Sequence, residues 1–152
     1  MFIIAGSSLA LALLVSGPAP QHPAHIGGVG YEAPAADVDA VRQTAFDYID
    51  AIYKTDPSRI ERSVHPELSK VGYWVARDGS WREGRMSYAQ LLEVARTWNA
   101  DGKTLRADAP RDVTVFEVLD KTASAKVVAQ WGLDYLQLAK IDGRWTIVNI
   151  VW

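Results

Sequence analysis

The closing thirty residues, ASAKVVAQWGLDYLQLAKIDGRWTIVNIVW from Ala123 to Trp152, hold three of the chain's six tryptophans. They read as two long strands joined at Asp142-Gly143. Bulky apolar or aromatic groups occupy both faces of this hairpin. That composition suits a curved sheet with helices on one side and a pocket or partner on the other. The first strand, Ala123 to Ala139, exceeds the usual length, and Gly132 near its middle is the expected site of a bulge or bend. A bulge changes the pleat parity, so alternation leaves open whether Asp134 or Tyr135 points inward.

Working back from this hairpin, a strand is expected from Asp112 to Leu119, with a turn near Asp120-Lys121. Before it, Ser87 and Gln90 form a capping box, and Tyr88, Leu91, Leu92, Ala95 and Trp98 make the apolar stripe of a helix ending at Asp101-Gly102. Leu68 to Arg77 has strand character, Asp78-Gly79 supplies a turn, and Trp81 to Arg85 returns as a shorter strand. The first helix opens at Asp37 and Asp39, which place negative charge at its positive end. Val38, Val41, Ala45, Tyr48 or Ile49, and Ile52 then recur at helical spacing, while Asp50 and Lys54 read as a solvated pair. Thr55-Asp56-Pro57 stops this helix and starts a short second one, which ends near His65 at Pro66. Helices segregated from an antiparallel sheet give an α+β layer architecture, with a strongly bent sheet around the first helix.

The chain has 152 residues, enough for one ordinary domain. A formal net charge of -2 with scattered basic residues gives nucleic acid no electrostatic footprint. With no cysteine, disulfides and thiolate chemistry are excluded. Phe2 to Val15 is an uncharged apolar run followed by Ser16, Gly17, Pro18 and Ala19, which predicts a secretory signal over residues 1–19 and a secreted or periplasmic protein. The run is shorter than the ~20 residues that span a bilayer, so no stable membrane span is expected once the leader is removed. Residues 20–35 read as a flexible linker of Pro, Gly, Ala and His, in which His22 and His25 are no metal pair and Gly27-Gly28-Val29-Gly30 is no phosphate cradle. The folded domain is expected over residues 36–152. Only His65 among the histidines falls inside it, and the acidic residues do not cluster at ligand spacing, so neither metal nor cofactor is implied.

Tyr48-Ile49-Asp50 with Tyr53, His65-Pro66-Glu67-Leu68 with Lys70, Met86-Ser87-Tyr88, Trp131 with Asp134-Tyr135, and Gly143-Arg144-Trp145 through Asn149 and Trp152 are the stretches that carry a resemblance. Together they resemble the "putative lumazine-binding" family of the nuclear transport factor 2-like (SnoaL-like) superfamily, over roughly residues 36–152. The resemblance implies a cone-shaped α+β fold: three helices of the N-terminal half packed on a strongly curved, mainly antiparallel sheet. It also implies a hydrophobic pocket at the wide end, and a homodimer formed through the outer face of the sheet. The superfamily hosts isomerases, dehydratases, cyclases and members without catalysis, so the fold carries no reaction with it.

Mapped onto the chain by position, the resemblance suggests polar pocket groups at Tyr48 or Tyr53, His65, Tyr73, Asp134 and Asn149. His65 titrates near neutral pH in its unperturbed form, and an apolar cone would favour the neutral form of Asp134, which together would supply a base and an acid. His65 equally suits the end of a helix, and Asp134 equally suits a cross-sheet ion pair with Lys126, Lys140 or Arg144. The aromatic set Tyr73, Trp74, Trp98, Trp131, Tyr135, Trp145 and Trp152 would line a flat-ring pocket, or serve as core or dimer seam. Lys70 is placed to hold an anion but, beside Glu67, reads as a solvated charge. Three functions follow: a receptor for a small aromatic or apolar ligand, pteridine-like rings among them; a lyase, isomerase or cyclase using His65 and Asp134; or an interaction module whose cone is filled by its own side chains.

Overall fold

The computed structural model describes residues 31–152. The predicted leader, and the linker up to residue 30 with its histidines and glycines, lie outside the described residues. Three helices, α1 (Ala35–Tyr53), α2 (Ser58–Ser63) and α3 (Tyr88–Thr97), lie on six strands: β1 (Val64–Val75), β2 (Trp81–Arg85), β3 (Asp112–Val118), β4 (Thr122–Ala129), β5 (Gly132–Ile141) and β6 (Arg144–Val151). The strands form one sheet in the order β2-β1-β6-β5-β4-β3, antiparallel throughout except for the parallel pair β1 and β6. This is the expected α+β cone, with the sheet mainly antiparallel. No helix among the described residues is long and apolar enough to cross a membrane.

α1 forms because its apolar residues fall on one stripe. Val41, Ala45, Ile49 and Ile52 are all buried against the sheet, and each of the valine and isoleucine side chains contributes roughly 1.5–3 kcal/mol. Its amino end is tied down by Asp37, which accepts from Lys140 Nζ at 2.7 Å and Trp145 Nε1 at 2.9 Å, bonds that lower its pKa. Asp56 accepts from Ser58 N at 3.2 Å and so caps α2 from two residues upstream. The Ser87–Gln90 capping box is present on α3, and the helix ends at Thr97, short of the expected Asp101-Gly102.

Two elements differ from their sequence reading. The stretch Ala123 to Ala139 is not one bent strand: β4 and β5 pair from Ala129↔Gly132 outward, leaving only Gln130 and Trp131 in a tight turn. Gly132, at φ +130, ends this turn in a conformation that favours glycine. Gln130 is held from outside the hairpin, its N–H on Tyr53 Oη at 2.6 Å and its side chain on Thr104 O at 2.8 Å. The register irregularities lie elsewhere: Val148 of β6 is skipped between the pairs Gln137↔Asn149 and Leu138↔Ile147, and shifts also occur in β1 between Val64 and Ser69 and in β3 between Val115 and Glu117. The other difference is β1, which begins at Val64, so His65 and Pro66 belong to a strand and not to the end of α2.

The expected solvated pair of Asp50 and Lys54 is also corrected. Lys54 Nζ does reach Asp50 at 2.8 Å, but Asp50 is buried and also receives Arg111 Nε at 2.6 Å and Nη2 at 3.0 Å. Asp47, one turn earlier, takes Arg59 at 2.7 Å and Arg62 at 2.8 Å. These two aspartates clamp α1 to α2 and to the lead-in of β3. Burial pushes both carboxyls up, but the arginines, together with Lys54 at Asp50, outweigh it and leave both pKa values lowered.

A group with a lowered folded pKa stabilises fully above its unfolded pKa and loses that contribution as pH falls through the folded value. The guanidinium unfolding midpoint is therefore expected to hold from neutral pH down to about 5 and to drop below about 4, where carboxylates of unperturbed pKa protonate. Asp47→Asn with Asp50→Asn should flatten that acid slope while lowering the neutral-pH midpoint. An unchanged slope in the double variant would show that the clamp contributes nothing.

Candidate functional site

The inward face of β1 carries Leu68, Lys70 and Gly72 on alternate residues, so the lysine lies among apolar groups. Its side chain is 5% exposed. Opposite, β5 directs Asp134, Leu136 and Leu138 inward, and Asp134 is 0% exposed. The question left open by the pleat is thereby settled: Asp134 points in, and Tyr135 points out. Tyr48, from the buried stripe of α1, bridges the two.

Tyr48 Oη donates to Asp134 Oδ2 at 2.6 Å, Lys70 Nζ donates to Tyr48 Oη at 3.0 Å and to Asp134 Oδ2 at 3.3 Å, and Trp131 Nε1 donates to the same Oδ2 at 3.2 Å. Three donors converge on one oxygen. The other, Asp134 Oδ1, is buried without a hydrogen-bond partner among the described residues. Burial lowers the pKa of Lys70, against the opposing pull of Asp134. Burial also raises that of Tyr48 well above the ordinary phenol value, and the neighbouring carboxylate adds to the effect. The phenol is thus held protonated as a donor to Asp134.

This cluster forms one wall of a cavity of about 250 Å³, lined by Tyr48, Ile52, Lys70, Met86, Leu91, Val94, Trp98, Trp131 and Trp152. The wall is apolar apart from Lys70 and the Tyr48 hydroxyl. Trp152 lies across β1 because Gly72 leaves it room: a Cβ at Gly72 would fall 1.9 Å from the indole ring. That places the Trp152 ring centroid 4.3 Å from Lys70 Nζ, a cation–π contact. Trp131 packs edge-on against Tyr48, Tyr53 and Trp98, with ring centroids 6.0, 5.5 and 6.1 Å away.

Of the residues singled out from the sequence, Tyr48, Trp98, Trp131 and Trp152 meet at the cavity, with Asp134 directly behind Tyr48, Lys70 and Trp131. Tyr53 stands one layer back: it stacks on Trp98 at 5.9 Å, and its hydroxyl donates to Pro110 O at 2.7 Å. Trp145 is buried in the core beside Asp37. The remaining residues lie away from the cavity. His65 is not brought to the cavity; as the second residue of β1 its Nδ1 accepts from Glu67 N at 3.2 Å. Tyr73 and Tyr135 are 51% and 52% exposed, because the pleat turns them to the outer face. Trp74 lies at the open end of β1, over Gly84. Asn149 donates to Gln137 Oε1 at 3.1 Å between paired residues of β6 and β5, in an exposed side-chain contact.

The pairing partner expected for Asp134 was Lys126, Lys140 or Arg144; the residue that pairs with it is Lys70. Its role was legible in one signal, the alternation Leu68-Lys70-Gly72, which puts it on the same face as a core leucine. No pattern links it to Asp134, 64 residues away.

Removing Lys70 leaves a buried carboxylate with no cation, which costs about 3–5 kcal/mol in comparable pairs. Lys70→Met is accordingly expected to lower the denaturant midpoint strongly, and Lys70→Met with Asp134→Leu to recover much of the loss. Equal destabilisation of the single and double variants would indicate that the pair is not coupled.

The family description "Putative lumazine-binding" matches residues 36–152. A protein named Aldolase FrzH, from Cladobotryum sp, is 27% identical over 124 residues, covering 78% of this chain and 91% of that protein. Among solved structures, an NTF2-like protein from Shewanella baltica OS155 superposes with a TM-score of 0.58 at 17% identity, covering 80% of this chain and 95% of its own. One from Silicibacter pomeroyi DSS-3 gives 0.56 at 23% identity, covering 76% and 91%. Identities this low bear on the fold alone, while the family match spans the whole described domain: the chain belongs to the family described as putative lumazine-binding, with an NTF2-like fold.

Proposed function

We propose that the chain binds a small aromatic or apolar molecule in the cavity between α1, α3 and the inner face of the sheet. The observation that carries this reading is the composition of the wall: a single buried cation, Lys70, set among Trp98, Trp131, Trp152 and aliphatic side chains around about 250 Å³. Flat indole surfaces favour a planar ring, and one polar group fixes its orientation. The volume lies just below the ~300–1,000 Å³ of drug-sized sites, which suits a ligand of one or two rings. A pteridine-like ring fits this description, and the family's description points the same way. An interaction module with a self-filled cone fits the open cavity less well.

A second reading, a lyase or isomerase, is favoured by a specific observation. Asp134, Tyr48 and Lys70 form a desolvated, hydrogen-bonded set at the cavity wall, with one buried ammonium whose proton affinity is reduced. The curated relative named an aldolase belongs to the same broad reaction class. In this reading the acid–base work falls to Asp134 and its partners, without His65.

The outer face of the sheet supports self-association. Tyr135, Val151 and Val71 stand in one row across β5, β6 and β1, and Phe116 stacks on Tyr135 at 6.4 Å, with Phe116 54% and Tyr135 52% exposed. An apolar aromatic band on a solvent-facing sheet fits a second copy of the chain. The uncharged run at residues 2–15 supports export to a secreted or periplasmic location.

Lumazine, a planar two-ring diketone, is expected to quench the intrinsic tryptophan fluorescence saturably. Val94→Trp should abolish that saturable response while the fold, followed by circular dichroism, persists. Undiminished quenching in Val94→Trp would place the ligand elsewhere. In sedimentation, the protein is expected to run as a dimer, and Phe116→Asp with Tyr135→Lys as a monomer; a dimer surviving both changes would exclude this face.

A further inference from the structure

We propose that Lys70 captures a carbonyl group: its Nζ condenses with an aldehyde or ketone held in the cavity to give a Schiff base, with Asp134 as proton carrier and counter-ion. The proposal rests on the cavity being a ligand site. It adds the functional group the ligand must bear and the bond it forms.

The geometry argues for this role over simple anion binding. The Lys70 charge is already matched by Asp134 at 3.3 Å, so the site offers an anion no net attraction. Of the three ammonium hydrogens, Tyr48 Oη and Asp134 Oδ2 take two, and no third acceptor lies within hydrogen-bond reach among the described residues. The remaining N–H suits a neutral acceptor on a ligand, and a carbonyl oxygen is the simplest such group. A carbonyl oxygen bonded there brings its carbon next to the nitrogen. Trp152, 4.3 Å from Nζ, and Ile52 and Met86 in the same wall keep the surroundings apolar. An apolar setting favours passage of a proton from ammonium to carboxylate, because a neutral pair replaces an ion pair. Burial has already reduced the proton affinity of this lysine. Desolvated lysines of this kind serve as Schiff-base nucleophiles.

The step balances within the cluster. Lys70 passes one proton to Asp134, and the freed nitrogen lone pair attacks the carbonyl carbon as the C=O π electrons move onto oxygen. Tyr48 Oη, which lines the cavity, gives its proton to that oxygen and is reprotonated by Asp134 across their hydrogen bond, giving a carbinolamine. Asp134 then takes one further proton from the nitrogen, the same Tyr48 relay delivers it to the hydroxyl, and water departs with the C–O electrons as the nitrogen lone pair closes the C=N bond. The sum is ammonium plus carbonyl to iminium plus water. The iminium keeps the single positive charge beside the Asp134 carboxylate, so no unpaired charge is left buried.

The test uses 2-naphthaldehyde with sodium cyanoborohydride, and 2-naphthalenemethanol as the carbonyl-free counterpart. At one equivalent of aldehyde, intact mass and peptide mapping should show one reduced adduct at Lys70, formed faster than at any of the five other lysines and suppressed by excess 2-naphthalenemethanol. Asp134→Asn should slow trapping by about 100-fold or more at saturating aldehyde, the scale of a lost acid–base group, so that a loss of rate is read apart from a loss of affinity. Lys70→Arg, which keeps the cation beside Asp134, should lose the adduct. Quenching by both probes without an adduct at Lys70 would overturn the covalent step and leave the binding site standing. Quenching by neither would overturn both, and adducts spread evenly over the lysines would also overturn it.

Discussion

A single buried ion pair links the principal elements of this fold. Lys70 comes from β1, Asp134 from β5 and Tyr48 from α1, and their mutual hydrogen bonds of 2.6 to 3.3 Å tie the helix to both strands at once. An isolated buried charge costs several kcal/mol, so neither Lys70 nor Asp134 is stable as a charge in its place without the other, and Tyr48 adds a hydrogen bond to the pair. Replacing all three by apolar residues of similar volume would often cost little in stability. What such a replacement would lose is the one cation among the described residues of a largely apolar wall, which is the feature that gives the hollow its chemistry.

The hollow exists because large rings are held apart by specific contacts. Trp131 is pinned by its indole N–H to Asp134 and by edge packing on Tyr48, Tyr53 and Trp98. Trp152 is admitted only because Gly72 has no side chain. Rigid rings fixed from behind cannot collapse inward to fill the space between them, whereas flexible aliphatic side chains would do so more readily. Stability and function therefore share residues here. A change at Trp131 or Tyr48 acts on packing, on the carboxylate and on the cavity together.

Much of the frame was legible in the sequence because its signals are local. The α1 stripe, the Ser87–Gln90 box and the Asp142-Gly143 turn each lie within a few residues and were read correctly as a helix, a cap and a hairpin. The β4–β5 turn was missed because Gln130-Trp131 is not a turn dipeptide; the turn is held by Tyr53 and Thr104, far away in sequence. The site was only half legible for the same reason. Tyr48, Trp98, Trp131, Trp152 and Asp134 announce themselves by type and position. Lys70, beside an exposed Glu67, looked like a surface charge, and its partner lies in a strand that no local pattern connects to it. His65 misled because a lone histidine before proline suggests a helix end or a base, while β1 starts one residue earlier and carries it away from the cavity.

The direct measurement of the central claim is nuclear magnetic resonance of the lysine side-chain nitrogens, with Lys70 assigned by its absence in Lys70→Arg. The account predicts that Lys70 Nζ titrates below the ordinary lysine value of 10.5 and that its protons show contacts to the Trp152 and Tyr48 rings. A Lys70 resonance that titrates at that ordinary value and lacks those contacts would contradict a buried Lys70–Asp134 pair.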